Sequence, residues 1–254
     1  MGMVPAGVGK TREAANDSAE RQGVRGRPPE TVSTSRARAA KMRALCTDDS
    51  YGNRMITLAI IAITSIVSFM AFNNVRLMND LILWPPAITR HREYHRLVTY
   101  GVVHADFNHL LFNMITLFFF GRSMEGFYTA RLGMLGFALF YIMALVVSIL
   151  PTYLKNRRNP NYRSLGASGA VSAVLFAYIL LAPWSRIIVF VVPMPAIIYA
   201  ALYLVYSIYM DRRAQDNVNH SAHLWGAAFG VAFTLLLRPE VFSYFLSQLA
   251  QPRF

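Results

Sequence analysis

The stretch LGASGAVSAVLFAYILLAPWS, residues 165–185, runs for 21 residues without a charge. A helix needs about 20 such residues to cross the hydrocarbon core of a bilayer. The same stretch opens on Gly166, Ser168, Gly169 and Ser172, polar or small where a lipid-facing helix carries bulk. The pattern recurs on both sides. Residues 55–72 supply 18 uncharged positions, 132–154 supply 23, 187–210 supply 24, and 217–237 supply 21 with two histidines taken as neutral. A shorter run, 107–121, reaches spanning length by extension through Phe127. The expected fold class is therefore an all-α membrane protein, a bundle of six transmembrane helices joined by short polar segments.

Composition agrees. Of 254 residues, 55% are hydrophobic and 15% charged, against about 45–50% and about 25% in soluble domains. The net charge of +12 would also suit a nucleic-acid binder, so its location decides. Residues 1–54 hold ten Lys/Arg and six Asp/Glu with no sustained apolar period. They read as a disordered basic tail. The remaining surplus of +8 lies in the joints between spans, which favours a lipid bilayer as partner and removes the case for nucleic acid. The expected organisation is a tail over 1–54, a six-span domain over 55–240 and a short C-terminal tail over 241–254. Cys46 is the one cysteine, which excludes an intrachain disulfide and a multi-cysteine zinc site. Gly9-Lys10-Thr11 imitates the end of a phosphate-binding loop, but the required first glycine is replaced by Val4.

A polar group buried in a span without a partner costs several kcal/mol, so such residues are candidates for function. His109 and Asn113 lie four apart, on one helix face. Ser168 sits among small residues, with Gly169 and Ala173 forming a small-xxx-small face. His223 precedes Gly226 and Gly230, a GxxxG face on the sixth run. Each signal alone has a plainer reading: helix-to-helix hydrogen bonding for the first pair, close packing for the glycines. Together they describe what serine chemistry needs. A hydroxyl is a poor nucleophile until a neighbouring base takes its proton. Packing Gly226/Gly230 onto Gly169/Ala173 would bring His223 to Ser168, with His109 and Asn113 able to donate to an oxyanion. A metal site is not expected. His104 and His109 are five apart, His220 and His223 three apart, and no HExxH motif is present.

These motifs, His109-xxx-Asn113, Gly166-Ala-Ser168-Gly169 and Ala222-His223-xx-Gly226-xxx-Gly230, on the second, fourth and sixth spans, resemble the rhomboid family of intramembrane serine proteases. Arg96, Thr99, His104 and Glu125 extend the resemblance, which covers residues 55–240. It implies a Ser168–His223 dyad without an acidic third member and no cofactor. It also implies an oxyanion hole from His109, Asn113 and the Ser168 backbone N–H. Gly166, Gly169, Gly226, Gly230, Arg96, His104 and Glu125 would support the site. Substrates would be single-span membrane proteins cut in or near their transmembrane segments. Charge asymmetry leaves the topology open, because the basic joint 155–163 opposes a cytoplasmic N-terminus. The resemblance favours that orientation, in a bacterial inner membrane. Two departures stand out. His95, rather than Trp, precedes Arg96, and Ser172 occupies a position where some members place an aromatic against the catalytic histidine. Ser172 would then hydrogen-bond in its place, or another aromatic would cover the ring. The competing readings are a rhomboid-like protein that binds membrane clients without cutting them, and a small transporter with broken helices.

Overall fold

The computed structural model describes residues 55–189, 192–213 and 218–252; the tail expected over 1–54 lies outside them. Helix α1, Met55–Phe72, matches the first uncharged run. A first loop follows with three short helices: α2 (Val75–Leu81), α3 (Pro85–His91) and α4 (Arg96–Thr99), the last running into a 3₁₀ turn at Tyr100–Val102. Pro85 and Pro86 start α3 because proline suits a first turn, where its missing N–H would have had no partner. Arg96 holds this loop together. Its guanidinium donates to the carbonyls of Asn79 (2.6 Å) and Ile82 (2.8 Å) and to Glu93 (2.5 Å). The hydrogen bond and charge of Arg96 hold the Glu93 carboxyl below its ordinary value. That contribution is present above the usual carboxylate range and is lost as pH falls through the lowered value.

The stretch expected as the second span is interrupted. Helix α5 (Phe107–Thr116) passes through a π turn at Leu117–Gly121 into α6 (Arg122–Leu132). The extension inferred through Phe127 therefore runs five residues further, and the whole stretch is bent by 98° from the helical turns of Arg96–Val102. Asp106 caps α5 by accepting the His109 N–H at 2.9 Å. Helix α7, Gly136–Asn156, matches the run expected as the third span.

Helix α8, Ser168–Leu181, lies at the centre. Twelve of its 14 residues are buried, and a helix apolar all round belongs inside other helices rather than against lipid. The sequence run of 21 residues is therefore only partly helical. The helix begins at Ser168 because Ser164 is held in a strand-like bridge and Gly166, at φ 108°, breaks helical geometry. Leu83 and Ser164 form an antiparallel bridge (3.0 and 3.2 Å), and Gly166 N–H donates to Tyr100 O at 2.9 Å. At about 1.5 Å per residue α8 is roughly 21 Å long, short of the ~30 Å hydrocarbon core.

The run 187–210 also divides. Its first third forms a hairpin, β1 (Arg186–Val189) with β2 (Val192–Pro195), in antiparallel register Ile187↔Met194 and Val189↔Val192. Branched Ile187, Ile188, Val189 and Val192 favour extended backbone, and Pro193 and Pro195 cannot serve inside a helix. Helix α9 starts only at Ala196 and ends at Arg213. Helix α10, His220–Leu237, matches the run expected as the sixth span and is capped by Asn219, whose side chain accepts the Ala222 N–H at 3.0 Å. The residues set aside as a C-terminal tail carry an additional helix, α11, Glu240–Leu249. Val241 and Tyr244 are buried there, and Trp184 donates its indole N–H to Gln248 O at 2.8 Å.

Among the described residues, three helices are long and apolar enough to cross a membrane: α1, α7 and α10. The bent stretch brings the number to four. Glu125 joins two of these segments. It is 1% exposed, and its two carboxylate oxygens accept the N–H groups of Ile56 and Thr57 at 2.9 Å each. A carboxylate at a helix N-terminus meets both orphan donors and the positive end of the helix dipole. Glu125→Ala is expected to cost about 2–4 kcal/mol, from two N–H groups left unsatisfied. Glu125→Gln, which retains one acceptor, should cost less. Denaturant-titrated unfolding in detergent measures both, and an alanine variant as stable as the wild type would refute the cap.

Candidate active site

The two central helices meet backbone to backbone. A Cβ added at Gly226 would strike the carbonyl group of Gly169, and one at Gly230 would strike that of Ala173. Only glycine permits that approach. His223 lies one turn before Gly226 and is thereby carried to the N-terminal end of α8. There its Nε2 lies 2.7 Å from Ser168 Oγ, within the range of an activated nucleophile and its base. Ser168 is the first residue of α8, so its backbone N–H has no intrahelical acceptor and stands at the positive end of the helix.

Gly166 fixes the approach to that end. Its φ is 108°, a region that side-chain-bearing residues avoid. A Cβ there would also lie 2.5 Å from His109 Cε1. His109 is thus seated over the turn that leads into Ser168. His104 is fully buried behind it, with the two rings edge to face at 5.0 Å. His104 Nε2 accepts the Ala167 N–H at 3.3 Å, so its Nδ1 carries the proton and donates to Ser68 Oγ at 3.0 Å. Ser68 Oγ in turn donates to Val102 O at 2.9 Å. One imidazole therefore ties α1, the first loop and the turn before Ser168.

Asn113 is buried and donates from Nδ2 to His109 O at 2.9 Å. A primary amide has two N–H bonds, and this contact uses one. Ser168, His223, His109 and Asn113 line a common cavity of about 980 Å³, together with Tyr203 and Asn219. Arg96 and Glu125 lie apart from it and act on the scaffold. Gly169 packs against α7, since a Cβ there would meet Ser148. Among the described residues no three His, Cys, Asp or Glu side chains gather as a metal-holding group.

The Rhomboid domain family model matches residues 91–240. The chain belongs to the rhomboid family. Rhomboid relatives agree with the match. RHOMBOID-like protein 12, mitochondrial, of Arabidopsis thaliana is 30% identical over 177 residues, 64% of this chain and 52% of that protein. A Bacillus subtilis (strain 168) protein named Putative rhomboid protease YdcA is 26% identical over 164 residues, 62% of this chain and 77% of that one. Rhomboid-like protein 11, chloroplastic, of Arabidopsis thaliana is 34% identical over 155 residues, 57% and 52% of the two chains. The chain spans about half the length of the two plant rhomboids. With its apolar helices, family membership makes this an integral multi-pass membrane protein.

Two residues of this rhomboid site were not singled out from sequence. Asn219 had a legible signal, an N-cap residue directly before an apolar run. It also accepts from Thr152 Oγ1 (3.2 Å) and donates to Ser164 Oγ (3.3 Å). Tyr203 had none. Its ring lies 6.0 Å from that of His223 with planes 28° apart, and only the packing of α9 brings it there.

Proposed function

We propose that this chain is an intramembrane serine endopeptidase that hydrolyses peptide bonds in or near transmembrane segments of single-span membrane proteins. The observation that supports it most is the 2.7 Å pair of Ser168 Oγ and His223 Nε2 lining a cavity in a chain of the rhomboid family. Ser168 Oγ attacks the scissile carbonyl carbon as its proton passes to His223 Nε2. The oxyanion accepts from the Ser168 backbone N–H, from the second N–H of Asn113 and from the His109 ring. His223 then returns the proton to the leaving amine as the C–N bond breaks. A water, deprotonated by the same nitrogen, cleaves the acyl-ester and restores Ser168. The remaining parts of the proposal are six spans within a domain over 55–240, preceded by a basic tail over 1–54. The N-terminus is in the cytoplasm and the membrane is the bacterial inner membrane.

The direct test is a fluorophosphonate probe on protein purified in detergent. Wild type should label, and Ser168→Ala and His223→Ala should not. Labelling that persists in Ser168→Ala removes Ser168 as nucleophile. A wild type that never labels favours the client-binding reading. For the oxyanion hole, His109→Ala and Asn113→Ala should each slow cleavage of a membrane-anchored substrate, by about 10²–10³-fold per donor. An unchanged rate in the double variant would reject both as donors.

A further inference from the structure

Tyr203 makes two contacts that lead to the dyad. Its ring stacks on His223. Its hydroxyl lies 2.6 Å from Ser172 Oγ, and Ser172 Oγ donates to Ser168 O at 2.8 Å. Ser172 has a single proton, committed to that carbonyl, so the phenol donates to Ser172. A directed chain results: Tyr203 O–H to Ser172 Oγ to Ser168 C=O. Ser172 is 4% exposed, which keeps water from competing for this relay. The ring is held in turn by Phe176 at 5.6 Å and Tyr199 at 5.7 Å.

Its position on α9 makes this arrangement informative. On that helix only Ala196, Ala200 and Ser207 are buried, while Leu202, Val205, Tyr206 and Tyr209 are exposed. Tyr203 is the large side chain that α9 sends to the catalytic pair. Bulk packing would be met by Leu or Phe at this position. A phenol aligned both to a ring and to a buried hydroxyl does more than fill space.

We propose that Tyr203 and Ser172 form a positioning brace for catalysis, the Tyr203 ring fixing the plane of the His223 imidazole while its hydroxyl, through Ser172, fixes the residue that carries the nucleophile. Tyr203 is a positioning residue, acting through His223 and Ser168 rather than on substrate. The inference rests on the reading of Ser168 and His223 as the dyad.

The test measures fluorophosphonate labelling rates, which need no docked substrate, beside kcat and KM for a membrane-anchored substrate. Tyr203→Leu should slow labelling by on the order of 10²-fold, the cost of misplacing a reacting group by about 1 Å. Tyr203→Phe and Ser172→Ala, which keep the ring, should each slow it by up to about tenfold. The double variant Ser172→Ala/Tyr203→Phe should be no slower than the worse single variant, because both act on one hydrogen bond. All four should lower kcat with KM little changed. Labelling of wild type and its absence in Ser168→Ala are read first, and their failure overturns the dyad itself. With those in place, wild-type labelling rates in Tyr203→Phe and Ser172→Ala overturn the hydroxyl half of the brace, and a wild-type rate in Tyr203→Leu overturns the ring half. Slower cleavage with unchanged labelling would make Tyr203 a substrate contact and overturn the proposal.

Discussion

Ser168→Ala and His223→Ala should each reduce cleavage of a membrane-anchored substrate by at least about 10⁴-fold, and the double variant should be no slower than the worse single variant. The two residues act as one unit, so loss of either removes nucleophilic catalysis altogether, and residual turnover comes from binding and the oxyanion donors alone. The 2.7 Å contact makes His223 the imidazole that meets Ser168 Oγ. Both variants should remain folded, because neither side chain takes part in the glycine contacts between α8 and α10. Folding is checked by thermal unfolding in detergent, and activity by product bands. Multiplicative losses in the double variant would show that Ser168 and His223 work separately and would refute a dyad.

The second large effect needs only one carbon. Gly226→Ala places a Cβ against the backbone carbonyl of Gly169. Backbone cannot rotate aside as a side chain can, so α10 must shift. Overpacking of this kind costs about 1–3 kcal/mol. The shift also carries His223, which lies on the same helix, away from Ser168, and a displacement near 1 Å costs on the order of 10²-fold in rate. Gly126→Ala is the matched control. A Cβ there meets nothing within 4 Å, and alanine in a helix interior is favoured over glycine by about 1 kcal/mol. Stability and activity should therefore fall at position 226 and hold or rise slightly at 126. Equal behaviour of the two variants would rule out the backbone seam as the element that sets the dyad distance.

Much of this was legible from sequence where the signal was local. Uninterrupted apolar runs marked α1, α7 and α10 to within a few residues, because hydropathy over 18 or more positions overrides everything else about a helix in lipid. The small-residue faces on α8 and α10 were visible as i, i+4 spacing, and the structure shows them in contact. Legibility ended where uncharged sequence was not helix. Hydropathy does not distinguish an apolar hairpin from a span, so the strands at 186–195 were absorbed into a predicted helix despite Pro193 and Pro195. Nor does it show that Ser164 and Gly166 are held by the backbones of Leu83 and Tyr100, partners more than 60 positions away. Ser172 without an aromatic left His223 uncovered in one dimension. Tyr203, 20 residues before His223, covers it through a helix crossing that no spacing rule encodes.

The seam between α8 and α10 also has a mechanical meaning. Where helices meet through interdigitated side chains, each rotamer hop adds slack to their separation. Here carbonyl groups of Gly169 and Ala173 face bare Cα atoms of Gly226 and Gly230, and the joint contains no rotatable bond. The two helices are coupled as stiff rods with no compliant layer between them. Thermal motion in the exposed parts of the chain therefore reaches the backbone positions that carry Ser168 and His223 only by moving backbone against backbone. The backbone tolerance of the pair is machined into the main chain, and that is where the missing side chains of Gly226 and Gly230 are spent.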